Sequence, residues 1–447
     1  MPNQTTNPER PWMLRGMQKT WIVILLIAVA APAARAQINC ASGSSASGKL
    51  SCLVPTFVTS IAPSGYNISN SSSSTIANFQ NFQNNFAFLT ADMGGEISQI
   101  PLASPASGII FAIDPTLKVP VPSDQSLGPI LTQRADTIGR HKMYVASTYQ
   151  YFLFKDVDGL SLQNLPSAFL MTCPSCTGAD ANALAVVNGR LDLKIHQFVG
   201  YVTYGLTNRI DVSAAVPLLR VDMRYTVNER VYNSAAVALS QSPAAPNDSK
   251  SGEATGIGDI ILAYKEEFWK GKHGGLAFGT EVRLPTGDAE NFLGSGAFGV
   301  KPYVTLTRSG KISPHLNVGY QFNGRTELVT NSAGRKVKLP ERVVYSGGLD
   351  WGIARRLTVA ADVLEQRVLD GPRAIANPAT TPFANSNLTL IGAISSANGS
   401  YNRTDGSIGI KLKPFGNMLV TGNLLVKLDR NGLRQRMAPL MGLSFTY

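Results

Sequence analysis

The side chains that could act as nucleophiles, bases or metal ligands are few and widely spaced in this chain. Its 447 residues include only four histidines, and no serine stands two positions after any of them. A serine, a base and an orienting carboxylate cannot be assembled from the sequence, as nucleophilic catalysis requires. Asp288 and Glu290 are too few for a dedicated calcium site. We predict that the chain is not an enzyme and holds neither a metal nor a cofactor.

Two pairs of cysteines lie close together in the sequence, Cys40 with Cys52 and Cys173 with Cys176. The second pair has the spacing of a redox motif or of half a metal site, but the chain contains no further pair at this spacing. An even set of cysteines is typical of exported proteins, in which disulfides persist. We therefore expect two local disulfides.

Residues 1–36 have the pattern of a removable export signal. Arg15 and Lys19 precede an unbroken apolar run over residues 21–31, and Ala34-Arg35-Ala36 supplies small residues for cleavage. The run is shorter than the roughly 20 apolar residues that a helical anchor needs. We predict that the remaining chain is exported.

The composition excludes several classes of protein. Charged residues make up 15% of the chain, against about 25% in a typical soluble domain. The net charge of +11 is spread along the sequence and forms no block. A coiled coil, a charged disordered chain and a nucleic-acid-binding tail are excluded on these grounds.

Beyond residue 140, apolar and polar side chains alternate with a period of two, as in strands with one apolar face. This alternation fits a soluble sandwich or a transmembrane barrel whose outer face meets lipid. The pattern predicts twelve strands, near residues 141–154, 191–205, 208–223, 256–269, 274–285, 296–308, 312–323, 341–353, 356–369, 403–413, 416–428 and 435–447.

The connections distinguish the two folds, because every second link between predicted strands is tight and the others are mostly longer. Bacterial outer-membrane barrels have this parity, with short periplasmic turns and longer outer loops. We therefore predict an all-β fold, a transmembrane antiparallel β-barrel of about twelve strands over residues 141–447. Residues 108–114 and the stretch after them would raise the number to fourteen.

Titratable side chains fall on the polar faces of these strands, which would line the barrel. Because an unpaired charge in a confined interior is costly, we expect neighbouring carboxylates and cations to pair. A stiffening ladder of salt bridges and a polar conduit are both consistent with the pattern. The lumen candidates are Asp211, Asp259, Lys265, Glu281, Arg283, Lys301, His315, Arg342, Asp350, Asp362, Lys411 and Lys427, with Glu267 and Arg356 on the same faces.

Residues 37–140 precede the barrel and begin with a Ser/Asn-rich stretch. Aromatic residues then recur at helical spacing, in a helix predicted to end near Gly94-Gly95. Exposing them to water is unfavourable by about 25 cal/mol per Å², so we predict that this helix plugs the barrel mouth from the periplasmic side. A partner subunit and the membrane surface are the alternative docking sites. The plug candidates are Phe79, Phe82, Phe86 and Phe88.

Several motifs resemble those of a known family. They are Tyr204 to Val212, Gly256 to Ile260 followed by Ala263 to Lys265, Leu284 to Asp288, Leu293 to Gly296, and Val300 to Tyr303. From about residue 140 onward the chain is similar to the outer-membrane family of the MetA pathway of phenol degradation, a relative of the long-chain fatty-acid transporters. The resemblance implies a barrel in the bacterial outer membrane that passes small hydrophobic or aromatic molecules.

The same resemblance implies two partners, the outer-membrane lipid and the barrel-assembly machinery, which would read the last strand ending in Tyr447. It assigns no catalytic or binding residue. A structural or surface-interaction barrel with a blocked lumen is the alternative function.

Overall fold

The computed structural model describes residues 36–37, 48–54, 57, 67–68, 93–104, 111–113, 120–122, 126–235, 237, 248–271, 273–331, 336–380 and 389–447. Twelve long strands carry the fold, and two of them are interrupted once. In chain order they are β1 (Met143–Val157), β2 (Asn182–Gly205), β3 (Ile210–Asn233), β4 (Asp248–Ile257 and Ile260–Gly271), β5 (Gly274–Leu284), β6 (Gly299–Arg308), β7 (Ile312–Asn323), β8 (Glu341–Ala354), β9 (Leu357–Thr380), β10 (Thr389–Leu412), β11 (Met418–Lys427) and β12 (Leu433–Gln435 and Met437–Thr446).

Each of these strands pairs antiparallel with the next, and the sheet closes on itself. Met441 of β12 lies opposite Tyr149 of β1, which joins the last strand to the first. The predicted twelve-stranded barrel is confirmed. The alternative with fourteen strands is wrong, because Phe111–Ile113 and Pro120–Pro122 pair with each other in a separate two-stranded sheet.

An apolar belt surrounds the outside of the barrel. On β7 it runs from Ile312 to Phe322, and ten residues of a strand tilted by about 40° rise about 25 Å, the height of such belts in outer-membrane barrels. Exposed aromatic side chains mark both edges, with Tyr149, Phe198, Phe298 and Phe322 at one edge and Tyr204, Trp269, Trp351 and Phe445 at the other. A closed barrel with this belt belongs in the bacterial outer membrane.

The short connections lie at one end of the barrel, which we call the inner end. It also holds the start of β1 and the end of β12, where the main-chain N–H of Tyr447 donates to the carbonyl of Met143 at 2.8 Å. Outer-membrane barrels place short turns in the periplasm, so the inner end faces the periplasm and the long connections form the outer end. Among the described residues, no helix has the length and apolarity needed to cross a bilayer.

Several strands continue past their predicted bounds at the outer end. β2 begins at Asn182 and not near residue 191, and β3 continues to Asn233. The phase of the alternation reverses there, because Leu191 and Leu193 point inward while Arg190 faces water. Beyond the membrane the outward face of the strand meets water and is polar, while the inward face is enclosed and apolar. The alternation typical of the membrane segment therefore ends before the strand does.

The inward faces of these extensions pack against residues from the N-terminal part of the chain. Leu50, Leu53 and Phe57 belong to the same buried cluster as Met223 and Tyr225. The rings of Phe57 and Tyr225 meet edge to face with centroids 6.3 Å apart. Residues 48–54 and 57 therefore cover the barrel at its outer end.

Residues 93–97 form a helical turn that contains Gly94 and Gly95, where the sequence predicted a helix end. A Cβ on Gly94 would lie 2.5 Å from Cδ1 of Leu328, so glycine permits a close approach to an outer loop and does not stop the helix. This turn lies in the outer half of the barrel beside Leu328, and the approach of the plug helix from the periplasm stays a prediction. The plug candidates Phe79, Phe82, Phe86 and Phe88 lie outside the described residues.

Candidate functional site: the plugged lumen

Two stretches of chain ahead of β1 occupy the lumen. Residues 126–138, which we call the floor, cross the barrel near its inner end. Residues 93–104, which we call the limb, descend to the floor from the outer half, and the N–H of Ser104 donates to the carbonyl of Ile130 at 2.9 Å. Together they form the plug.

Buried lysines of the wall hold the main chain of the floor. Lys411 Nζ donates to the carbonyl of Pro129 at 2.6 Å, and Lys265 Nζ donates to the carbonyl of Asp136 at 2.6 Å. From another side the carboxylate of Asp211 accepts from the N–H of Ile138 at 3.1 Å. The lumenal charges thus satisfy backbone groups that would otherwise be buried without partners.

Hydroxyl and imidazole groups make the next set of contacts with the floor. Thr132 Oγ1 lies 2.8 Å from Nε2 of His315, and the same ring nitrogen lies 2.8 Å from Oδ1 of Asp362. Ser126 bonds to Asp350 through its hydroxyl. The N–H of Leu127 donates to Thr358 Oγ1 at 2.9 Å. Serine and threonine side chains of the floor therefore pair with carboxylates and an imidazole of the wall, and a wall hydroxyl accepts from the main chain of the floor.

The limb is fixed by one buried carboxylate. Glu96 is 1% exposed and accepts from Arg342 at 2.8 Å and from Arg403 at 2.6 Å. The hydroxyl of Tyr401 donates to it at 3.1 Å. Two arginines and a phenol on two strands, β8 and β10, thus converge on a single residue of the plug, which anchors the limb in the outer half of the lumen.

All twelve lumen candidates lie on the inward face of the wall. Nine of them are at most 6% exposed, while Glu281, Lys301 and Lys427 are half-buried. Wall pairs also form, such as Lys301 with Glu281 at 2.7 Å and Lys265 with Asp211 at 3.7 Å. The lumenal charges therefore form salt bridges within the wall and also bind the plug. Glu267 is buried with them, whereas the placement of Arg356 on the inward face is wrong because it lies exposed in a turn at the inner end.

An outer loop, residues 285–298, folds inward above the cavity. Asp259, where β4 is interrupted, accepts from the N–H of Ser295 at 2.8 Å and from that of Gly287 at 3.2 Å. The loop also receives the N-terminal residues, because Lys49 Nζ bonds Asp288 at 2.7 Å. Burial raises the pKa of Asp288, but hydrogen bonds from Lys49 and Asn291 outweigh it and hold the pKa below its ordinary value.

Between the limb, the floor and the wall lies a cavity of about 210 Å³. Ile100 and Leu102 of the limb and Leu131 of the floor form one side, and β2 to β9 form the other. Apolar wall residues alternate around it with amides and with the Lys301–Glu281 pair. Among these, Gln197 Oε1 and Asn317 Nδ2 are buried without a hydrogen-bond partner within the described chain. The cavity can therefore receive a small, largely apolar solute that also offers a polar atom.

The cysteine candidates are placed in part. The Sγ atoms of Cys173 and Cys176 form a disulfide in the outer connection between β1 and β2. Cys52 is disulfide-bonded and lies between Leu50 and Leu53 in the segment that covers the outer end. Cys40 lies outside the described residues.

Sequence reasoning missed the floor and the limb. Apart from the helical turn at 93–97, neither stretch has a helical or strand period, because its residues are fixed by the wall around them and not by a regular element. The short polar run Thr132-Gln133-Arg134 next to apolar Ile130 and Leu131 was the available signal, but this composition is common in loops.

The comparisons with known proteins agree with this architecture. Residues 179–337 match the family described as putative MetA-pathway of phenol degradation. The chain resembles this family. All the motifs that carried the predicted resemblance lie inside the matched range, which is shorter than the predicted range of about 140–447. No match is found among the curated proteins.

Three solved structures illustrate the similarity. The COG4313 outer membrane channel from Pseudomonas putida F1 is 12% identical over 71% of this chain and 99% of its own, with a TM-score of 0.42. A FadL homologue from Pseudomonas aeruginosa is 10% identical over 76% and 96%, with a TM-score of 0.29. A mutant of the TodX monoaromatic hydrocarbon channel is 8% identical over 69% and 89%, with a TM-score of 0.28. At these low scores the fold rests on the strand pairing of this chain.

Proposed function

We propose that the protein is an outer-membrane transporter for small hydrophobic or aromatic solutes, gated by its own plug. The observation that carries the proposal is the cavity of about 210 Å³, enclosed by apolar side chains of the limb and the floor on one side and by the wall on the other. A solute of this size class would be removed from water there before it crosses the floor.

Several contacts make the floor a displaceable closure. It is held to the wall by hydrogen bonds from lysine, threonine and histidine side chains, such as those of Lys411 and Thr132. Each neutral bond contributes about 1 kcal/mol net, and each bond from a charged lysine about 1.5–3 kcal/mol. A shift of the floor can exchange them for bonds to water without breaking a strand of the barrel. The association of the matched family with phenol degradation, and the aromatic hydrocarbon channel among the similar structures, support the solute class.

The experiment that tests this proposal fills the cavity. Ala263 lines it on β4, and Ala263→Phe should reduce uptake of an aromatic hydrocarbon by cells that depend on this protein by about tenfold. Ala361→Phe places the same ring on the lipid-facing side of β9 and is the matched control, with no expected effect. Equal uptake by the two variants would contradict the transport role of the cavity.

The density of floor contacts favours a second candidate function, a structural barrel with a blocked lumen. The floor bonds to inward-facing groups on β3, β4 and β6 to β10. A sealed barrel would show no uptake in either alanine variant or in the parent protein, so the same assay separates the two functions.

A further inference from the structure

A group of cations faces outward just above the apolar belt on three neighbouring strands. Arg190 and Lys194 lie on β2, Arg224 on β3 and Lys155 on β1. Arg190, Lys194 and Arg224 are exposed and Lys155 is half-buried. Because strands β1, β2 and β3 are adjacent, these side chains share one surface.

Two carboxylates lie among them. In the β2–β3 register Asp192 is opposite Arg224, and Asp222 is opposite Lys194. Arg190 Nε bonds Asp192 at 3.1 Å, and Arg220 bonds Asp222 at 3.2 Å. Within the described part of the chain, no side chain forms a hydrogen bond or salt bridge with Lys155, Lys194 or Arg224. Lys155, Arg190, Lys194 and Arg224 against Asp192 and Asp222 leave this surface with a local charge of +2, and the adjacent Arg220 and Glu253 form an ion pair that adds no net charge.

The height of the surface matches a lipid headgroup. Phe198 is the last exposed aromatic of the belt on β2, and Lys194 follows it by four residues toward the outer end. Four residues of a tilted strand rise about 10 Å. The interfacial layer of a membrane begins at the edge of the hydrocarbon core, so Lys194 reaches into it.

Aromatic groups stand between the belt and the cations. The hydroxyl of Tyr149 lies 2.7 Å from Nδ1 of His196, and the rings of Tyr151 and His196 have centroids 5.0 Å apart. Such rings suit the interface between acyl chains and polar headgroups and offer a flat face to a sugar. Rings below and unpaired cations above would contact different parts of one amphipathic molecule.

We propose that this surface, formed by Lys155, Arg190, Lys194 and Arg224 above Tyr149 and Tyr151, binds a phosphorylated glycolipid of the outer leaflet. The phosphates accept from the lysine and arginine side chains, the sugar lies against the aromatic rings, and the acyl chains follow the belt. Guanidinium and ammonium groups are the usual partners of phosphate. Asp192 and Asp222 are the repulsive groups, and their bonds to Arg190 and Arg220 reduce that repulsion.

The test titrates the full-length protein in neutral detergent with bis-phosphorylated lipid A and with the same lipid after removal of its phosphates. The variant Lys155→Gln, Lys194→Gln, Arg224→Gln should bind bis-phosphorylated lipid A at least about tenfold more weakly, since each basic residue near an anionic headgroup contributes measurably. Asp192→Asn should bind it more tightly than the parent protein does. Raising the salt concentration should weaken binding by the parent.

A matched control removes three exposed cations at the inner end, in Arg140→Gln, Lys311→Gln, Arg356→Gln, and should bind like the parent. The single variant Arg224→Gln, which should lose about threefold, serves if the triple variant does not fold. Equal affinity of the parent and Arg224→Gln or the triple variant, or equal affinity of the parent for the phosphorylated and dephosphorylated lipids, would overturn the proposal.

Discussion

Glu96 connects the limb to the wall through charges that lie out of reach of water. Glu96→Gln keeps the shape of the side chain but leaves Arg342 and Arg403 facing a neutral amide, and uncompensated buried charges cost about 3 kcal/mol. We expect this variant to fold with a loosened limb. Its cells should become more permeable to hydrophobic antibiotics, as measured by the minimal inhibitory concentration.

The control for this variant is Glu253→Gln. Glu253 makes an ion pair with Arg220, but its side chain is 66% exposed and the pair contributes little. If Glu253→Gln raised permeability as much as Glu96→Gln does, the limb would not be the barrier.

Tyr303 packs against Gly279 and Gly319 inside the wall, and substitution of a glycine there tests how tightly the wall is packed. A Cβ on Gly279 would lie 2.2 Å from Cζ of Tyr303, and one on Gly319 would lie 3.0 Å from Cβ of the same residue. Gly279→Ala should therefore cost about 1–3 kcal/mol and lower the temperature at which the heat-modifiable gel band unfolds. Gly200→Ala meets no heavy atom within 4 Å, and a similar loss there would show that the cost comes from flexibility and not from crowding.

For the charged residues of the wall, the sequence predicted the orientation of each side chain but not its partner. Asp211 and Lys265 could be placed on inward faces because strand alternation assigns a face to each residue. Their partners could not be predicted, since Lys265 bonds carbonyls of the floor and any residue type carries a carbonyl. Glu96 contacts Arg342 and Arg403 only in the folded protein, because these residues are far apart in the sequence.

Among the elements, the strands of the membrane segment were predicted closely and the plug was not. β7 has the predicted bounds, because lipid on one side and a polar lumen on the other enforce a period of two. The outer parts of β9 and β10 were assigned to a loop, since neither face of that hairpin meets lipid. The floor, residues 126–138, has no regular period from which it could be predicted.

The orientation of the elements yields a labelling prediction. Gln37, the first residue after the predicted export signal, pairs with Thr330 at the outer end. Gln37→Cys should therefore react with a membrane-impermeant maleimide in intact cells, as should Cys173 and Cys176 of the parent after reduction. Arg356→Cys, in an inner turn, should react only after permeabilisation.

The cysteine variants are best made with both Cys173 and Cys176 changed to serine. Labelling of Arg356→Cys in intact cells, together with protection of Gln37→Cys, would reverse the assignment of the inner and outer ends.

At the scale of the whole molecule, the barrel is closed at two levels. Leu50 and Phe57, which pack against Met223 and Tyr225, cover the outer end. The floor closes the inner end. The cavity lies between them. Transport through such a molecule requires the floor to move, whereas a structural barrel requires it to stay.

The most direct test of this account locks the floor to the wall. An ideal Cβ on Gly275 of β5 would lie 3.3 Å from Cβ of Ala135, close to the separation of about 3.5–4.5 Å in disulfides. The carboxylate of Glu267, 2.8 Å from that position, must shift slightly. In proteoliposomes, the variant Ala135→Cys, Gly275→Cys should pass no aromatic solute when oxidised and should regain the parental flux when reduced. The parent protein, treated identically, controls for the native disulfides of Cys52 and of Cys173 with Cys176. Equal flux in the oxidised and reduced variant would contradict a gate formed by the floor.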